Sequence, residues 1–274
     1  MPADRPDRIA KAAGLTGAAA PGALILDLED GVAPSARRAA RDGLAAALAE
    51  VPDGAPQILV RIDARTPATA FDDAAAVAAL GPRVGGVVVP GATVAMVTGV
   101  AGELDRTGRH DLMLTALVET AAGLLELVDL ARHPRVVRLA LGEADLAADL
   151  GMAPGPDGTE LLALRTQAVV ASAAGGLGGP TGPVATDFRD VDSLRRSSEA
   201  LRRLGYSGRS CIHPDQVPVV NEVFTPSEEE LEQARELVAL FDAALARGEG
   251  ATTGPDGRMV DEAVVRRARR LLAD

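Results

Sequence analysis

Helix-spaced segments separate seven short β-branched or leucine-rich runs along this sequence. That alternation restricts the fold more than any other feature. The runs cover residues 23–28, 57–62, 86–89, 112–118, 136–141, a weaker one at 182–186, and 209–212. Between the first two, Ala36, Ala39, Ala40, Gly43, Leu44, Ala47 and Leu48 follow the i, i+3, i+4, i+7 spacing of a buried helical stripe. Repeated strand–helix units imply a parallel sheet with helices outside it. Seven strands suit either a doubly wound sheet or a barrel lacking one of eight. No glycine-rich dinucleotide fingerprint follows the first run, which weighs against the doubly wound option.

The end of the chain is organised differently. Ser227 and Glu230 form an S-x-x-E capping box that opens a helix expected to reach about residue 247. The glycine-rich "GEGATTGPDG" at 248–257 is expected to be a flexible hinge, followed by the helical pattern "MVDEAVVRRARRLLA". The expected division is a barrel over residues 1–225 and a helical lid over 226–274.

Composition narrows the chemistry. A net charge of −11 argues against nucleic acid or an anionic membrane as partner. The single cysteine, Cys211, excludes an intramolecular disulfide or a four-cysteine zinc site and fits a cytoplasmic protein. No run approaches the length of a membrane span. Lys11 is the only lysine, so 28 − 1 = 27 basic residues are arginine. Imine catalysis would have only this polar N-terminal residue to use.

Acids gather just beyond the strands, where (β/α)8 barrels place their chemistry. Glu29 and Asp30 follow the first run and Asp63 the second, whose end carries Arg61. Glu119 follows the fourth run, and "GEAD" with Glu143 and Asp145 follows the fifth. Neighbouring strands lie about 5 Å apart, close enough for Glu119 and Asp145 to face one ion. Two carboxylates completed by water and substrate oxygens match the usual Mg²⁺ arrangement. Taken singly, Asp145 and Asp261 read as helix N-caps and Glu119 as a partner for a helix dipole. Taken together, acids at three strand ends call for a cation. Cys211 and His213 read as a buried strand end rather than a catalytic pair, and Tyr206 as a loop residue. Within "LDLED", alternation turns Asp27 and Glu29 one way and Asp30 the other, unless the strand ends between Glu29 and Asp30.

Six segments in order, "ILDLEDGVAPSARRAAR", "ILVRIDA", "TALVETAAGLLEL", "LALGEADLAADLG", "CIHPDQVPVVNEVFTPS" and "DGRMVDEAVVRRA", resemble the citrate lyase β-subunit-like proteins of the HpcH/HpaI aldolase superfamily. The resemblance implies a (β/α)8 TIM barrel, a homotrimer, Mg²⁺, and cleavage or Claisen-type formation of the bond between an acyl-CoA and a 2-oxo acid. By motif it makes Glu119 and Asp145 the metal ligands and Arg61 the contact to the substrate oxygen. Glu29 and Asp30 would hold metal-bound water and the arginine. Asp261, on a C-terminal lid reaching a neighbouring subunit, would be the base. Backbone amides from Gly142 through Glu143 and Ala144 to Asp145 would take the 2-oxo acid carboxylate. Arg8 and Lys11, with Arg5, would lie beside the CoA pocket. Three departures stand out: "MPADRPDR" where the family has a first strand, expected as a late start or truncation; Pro90-Gly91 for the family's Pro-Lys; and a Gly/Pro-rich seventh-strand region. The reading is a lyase for malyl-, citramalyl- or citryl-CoA. The alternatives are a metal-dependent aldolase on a CoA-free adduct and a non-catalytic CoA-ester-binding barrel.

Overall fold

A computed structural model describes residues 1–273, which divide into two compact units, the first Met1–Phe224 and the second beginning at Thr225. The first is built on seven parallel strands in sequence order: β1 Ala23–Asp27, β2 Gln57–Arg61, β3 Val84–Val89, β4 Met113–Val118, β5 Val136–Leu141, β6 Thr181–Gly182 and β7 Gly208–Arg209. Every neighbouring pair runs parallel, as right-handed βα crossovers require. The helices between and around the strands are α1 Pro6–Ala13, α2 Arg37–Ala49, α3 Pro67–Ala78, α4 Val94–Arg106, α5 Ala121–Leu125, α6 Leu127–Arg132, α7 Glu143–Asp149, α8 Leu162–Ala174, α9 Val191–Leu204 and α10 Gln216–Phe224.

Burial of aliphatic side chains from both layers holds this unit together. Leu26, Val60, Val89, Leu114, Ala116, Val118 and Leu139 are fully buried in the strands. On α2 the stripe is narrower than its spacing implied: Ala40, Leu44, Ala47 and Leu48 are buried, while Ala39 and Gly43 face solvent. Burying each leucine of that stripe contributes about 1.5–3 kcal/mol.

The edges of the sheet depart most from expectation. Residues 1–3 run beside β1, with Pro2 bridging Asp27 in parallel. The Ala3 amide donates to the Asp27 carbonyl at 2.9 Å, and the Asp27 amide donates to the Met1 carbonyl at 2.7 Å. At the other edge, β6 and β7 are two residues each. Pro180 and Pro183 bracket β6, and Pro183 has no N–H to extend the ladder. Cys211 and His213 therefore lie beyond β7 rather than in a strand end, with Cys211 half-buried there. Ile212 between them is 54% exposed, and His213 stacks on Phe188 with ring centroids 4.6 Å apart. Tyr206 is a loop residue but a buried one, donating its hydroxyl to the Arg165 carbonyl at 3.3 Å.

The second unit contains α11 Glu228–Ala246, β8 Ala251–Thr253, β9 Met259–Asp261 and α12 Glu262–Ala273. The expected capping box is present in full: Ser227 Oγ accepts from the Glu230 amide at 3.1 Å, and Glu230 Oε2 accepts from the Ser227 amide at 2.9 Å. The glycine-rich stretch is more structured than its composition implied, because β8 and β9 pair as an antiparallel hairpin. Phe241, Val260 and Val265 form the unit's own small core. Among the described residues, no helix is long and apolar enough to cross a membrane.

Candidate active site

The carboxyl ends of β1, β2, β4 and β5 present the acids and the arginine singled out above. In the β1–β2 register Asp27 is the partner of Arg61, the last residue of each strand. Their side chains form a bidentate ion pair, Arg61 Nε to Asp27 Oδ1 at 2.7 Å and Nη2 to Oδ2 at 2.6 Å. Asp27 also accepts the backbone amides of Glu29 at 3.0 Å and Gly31 at 2.8 Å. That turn ends β1 at Asp27 instead of at residue 28. Strand alternation therefore no longer governs Glu29 and Asp30, and both acids approach the same guanidinium. Arg61 Nη1 lies 3.0 Å from Glu29 Oε2 and 3.8 Å from Asp30 Oδ2. Glu29 and Asp30 thus stand beside the arginine as expected, and Asp27 adds the two aligned bonds that the sequence did not single out.

Glu29 is strained electrostatically. Only 6% of it is exposed, and Oε2 makes no aligned hydrogen bond despite its approach to Arg61. Burial raises its pKa to about 8, against the pull of Arg61 and with a further push from Glu119, Asp30 and Asp27. Asp27 behaves oppositely: burial disfavours its charge, but the Arg61 bonds outweigh burial and hold its pKa below the usual carboxylate range. Arg37 braces the turn, donating from Nε to the Glu29 carbonyl at 3.1 Å while Nη1 pairs with Asp63 at 3.4 Å.

Glu119 follows β4 directly. Gly91 donates its amide to Glu119 Oε1 at 2.7 Å. Gly91 has φ +53°, a conformation that glycine adopts without steric cost. This amide therefore supplies a donor at the position where the expected family pattern has lysine. Gly142, after β5, packs against the other side of the carboxylate: a Cβ there would stand 2.6 Å from Glu119 Oε2. Burial, then the charges of Asp145 and Asp30, raise the Glu119 pKa to about 7, while the Gly91 amide and Arg61 oppose the rise. Asp145 lies in the first turn of α7 and is exposed.

The donor set suits a hard cation. It offers only hard oxygen donors, and for the half-buried Glu119 both desolvation and the charge of Asp145 disfavour ionisation. A hard divalent cation would relieve both costs. Among the described residues no group of three or more His, Cys, Asp or Glu side chains is arranged around a metal. Two carboxylates leave most of the coordination shell to water and substrate, as suits Mg²⁺-like ions.

Other expected site residues fall differently. The Gly142 amide is already bonded to the Val118 carbonyl at 2.9 Å, so it is not open to a ligand. Glu143 is tied up by Arg165, with Nε–Oε1 at 2.6 Å and Nη2–Oε2 at 2.7 Å. Only the first-turn amides of Glu143, Ala144 and Asp145 remain outside the helical ladder. Arg8 and Lys11 project to solvent from α1, whose Ile9, Ala12 and Ala13 are buried. Asp261, in the second unit, caps α12 by accepting the amides of Ala263 at 3.0 Å and Val264 at 3.1 Å. Burial raises the Cys211 pKa to about 11, which keeps the thiol protonated and argues against a nucleophile. A cleft lined by Gln57, Arg83 and Gly85 lies at the opposite, amino-terminal ends of β2 and β3 and takes no part in this site. The residue that sequence reasoning missed is Asp27. Its only signal was the alternation that placed it on the same face as Glu29.

Comparison with known proteins gives these residues a context. The model of the family described as HpcH/HpaI aldolase/citrate lyase matches residues 2–214. A (3S)-malyl-CoA thioesterase of Cereibacter sphaeroides is 34% identical over 273 residues, covering 100% of this chain and 92% of the relative. An L-malyl-CoA/beta-methylmalyl-CoA lyase of the same species is 34% identical over 302 residues, covering 97% and 90%. The crystal structure of CitE from Mycobacterium tuberculosis in complex with magnesium, acetoacetate and coenzyme A superimposes with a TM-score of 0.78. That protein is 33% identical, and the match covers 100% of this chain and 95% of the other. With a family model spanning all seven strands and full-length relatives above 30% identity, this chain belongs to the HpcH/HpaI aldolase/citrate lyase family.

Proposed function

We propose that this protein is a Mg²⁺-dependent carbon–carbon lyase acting on a 3-hydroxyacyl-CoA such as malyl-, citramalyl- or citryl-CoA. The products would be an acyl-CoA and a 2-oxo acid, and the same site would run the Claisen-type condensation. One observation carries the reading: at the strand ends Glu119 lies within electrostatic reach of Arg61, which favours its charge, and of Asp145, which opposes it. Relatives named as CoA-ester enzymes support it, as does the magnesium in the CitE complex.

In this reading Glu119 and Asp145 hold Mg²⁺, which supplies Lewis-acid polarisation of the 2-oxo acid carbonyl when bound. The chain's own groups do the rest. Arg61 turns Nη1 toward the oxygen that gains charge as the carbon–carbon bond forms or breaks, a fixed donor aimed at developing charge. Glu29 and Asp30 face that same nitrogen and orient water beside it. The first-turn amides of Glu143, Ala144 and Asp145 receive the 2-oxo acid carboxylate. Asp261, supplied by a neighbouring copy in a homotrimer, removes the proton α to the thioester in condensation and returns it in cleavage. Arg8 and Lys11 offer positive charge to the CoA phosphates.

The test is to incubate purified protein with Mg²⁺ and a thioester panel and to follow products by mass spectrometry. The expected result is acetyl-CoA or propionyl-CoA with the matching 2-oxo acid, abolished by EDTA. Because the thioesterase relatives are as similar as the lyase, free CoA must be measured too. Free CoA without acyl-CoA would replace this reading with thioester hydrolysis.

A further inference from the structure

The Asp27–Arg61 pair goes beyond what the lyase reading requires, although the inference drawn from it rests on that reading. Asp27 is 7% exposed, and its two oxygens accept four N–H groups: Arg61 Nε and Nη2, and the amides of Glu29 and Gly31. Both oxygens are therefore engaged, and the carboxylate is poorly placed to take a ligand. The two Arg61 bonds are parallel and hold the guanidinium as a fork, the geometry that fixes arginine orientation most firmly. They leave Nη1 as the nitrogen facing the other acids, 3.0 Å from Glu29. The surrounding backbone is shaped to the clamp. A Cβ on Gly31 would lie 2.6 Å from Asp27 Oδ2, so only glycine leaves the carboxylate in place. The Asp27 backbone is held on both edges of the strand, by Arg61 as its β2 partner and by the Pro2 bridge.

We propose that Asp27 is the positioning residue of the site, fixing Arg61 so that Nη1 alone is presented to the reacting oxygen. Asp27 touches no reacting atom in this arrangement and acts only through Arg61. The substitution Asp27→Asn keeps the shape but removes the charge and one acceptor oxygen. It should lower kcat about 100-fold, within the range for loss of one aimed donor, while KM changes less than about threefold. Gly31→Ala, which crowds the same oxygen, should change kcat in the same direction.

A purely structural role would also lower activity, so the deciding measurements are of two other kinds. In the Arg61→Lys background, Asp27→Asn should cost no more than about twofold further, because the group it positions is gone. Losses that multiply in the double variant would overturn the proposal. Independently of turnover, the Arg61 Nε–H resonance in ¹⁵N spectra of the intact protein, assigned by its absence in Arg61→Lys, should persist at about pH 8, where an unclamped guanidinium exchanges with water. In Asp27→Asn it should broaden away. An Nε–H signal unchanged by Asp27→Asn would overturn the clamp even if the enzyme is active. A lost signal in a protein without lyase activity would uphold the clamp and refute the lyase reading instead.

Discussion

Mg²⁺ binding should be coupled to loss of a proton from Glu119. Its pKa stands at about 7 against an ordinary 4.5, because desolvation of the half-buried carboxyl and the charges of Asp145 and Asp30 disfavour its ionised form. A raised carboxyl pKa favours the folded protein while the group is protonated, and that advantage is lost as pH rises from the ordinary value through about 7. Ionising Glu119 in the fold without a cation thus costs roughly 3 kcal/mol as an upper bound. A divalent cation reverses this penalty, so metal affinity should rise over the same pH range. At about pH 6 roughly one molecule in ten carries ionised Glu119, and at about pH 8 roughly nine in ten, giving a ninefold gain in apparent affinity from this group alone. Isothermal calorimetry at about pH 6.5, in buffers of different ionisation enthalpy, should count roughly three-quarters of a proton released per ion at this site. Glu119→Gln should abolish both the pH dependence and most of the affinity. Tight Mg²⁺ binding with no pH dependence and no proton release would refute the assignment of Glu119 as a half-buried, charge-strained ligand.

Three other outcomes follow from the same geometry. Gly142→Ala should push Glu119 off the Gly91 amide and weaken Mg²⁺ binding about 10–100-fold with an unchanged circular dichroism spectrum, the usual scale for disturbing the support of a metal ligand; unaltered affinity would show that Glu119 is not held there. Arg165→Met should leave Glu143 without its partner between α7 and α8 and cost about 3 kcal/mol in urea unfolding, since both side chains are less than one-fifth exposed; a loss below about 1 kcal/mol would show that solvent screens the pair. Cys211, with its pKa at about 11, should react with iodoacetamide near pH 7 far more slowly than a free thiol; rapid labelling would contradict the burial described.

Much of the parallel sheet was legible because its first five strands are five or six residues long and mostly aliphatic, with helix-spaced segments between them. Legibility failed at β6 and β7, where the ladder is cut to two residues by flanking prolines and turns. The site was legible as a set of acids after strands, because parallel strands bring their carboxyl ends to one rim. Sequence alone did not reveal which acid would take which partner. Asp27 reads as one more strand residue until the β1–β2 register sets it beside Arg61. Likewise, nothing near Glu143 in sequence shows that Arg165, on another helix, will occupy its carboxylate. The glycine-rich segment after α11 was read from composition, which does not register that Ala251–Thr253 pairs with Met259–Asp261.

The most direct test of the account is the fate of the carbon–carbon bond in a 3-hydroxyacyl-CoA. Malyl-, citramalyl- and citryl-CoA would each be incubated with the protein, with Mg²⁺ or with EDTA, and every product resolved by liquid chromatography and mass spectrometry. The account predicts an acyl-CoA and an equimolar 2-oxo acid from at least one of them, only with Mg²⁺, and at least 100-fold slower for Arg61→Lys, about the loss seen when an aimed donor is removed. Intact thioesters throughout, or free CoA with the carbon skeleton uncleaved, would contradict it.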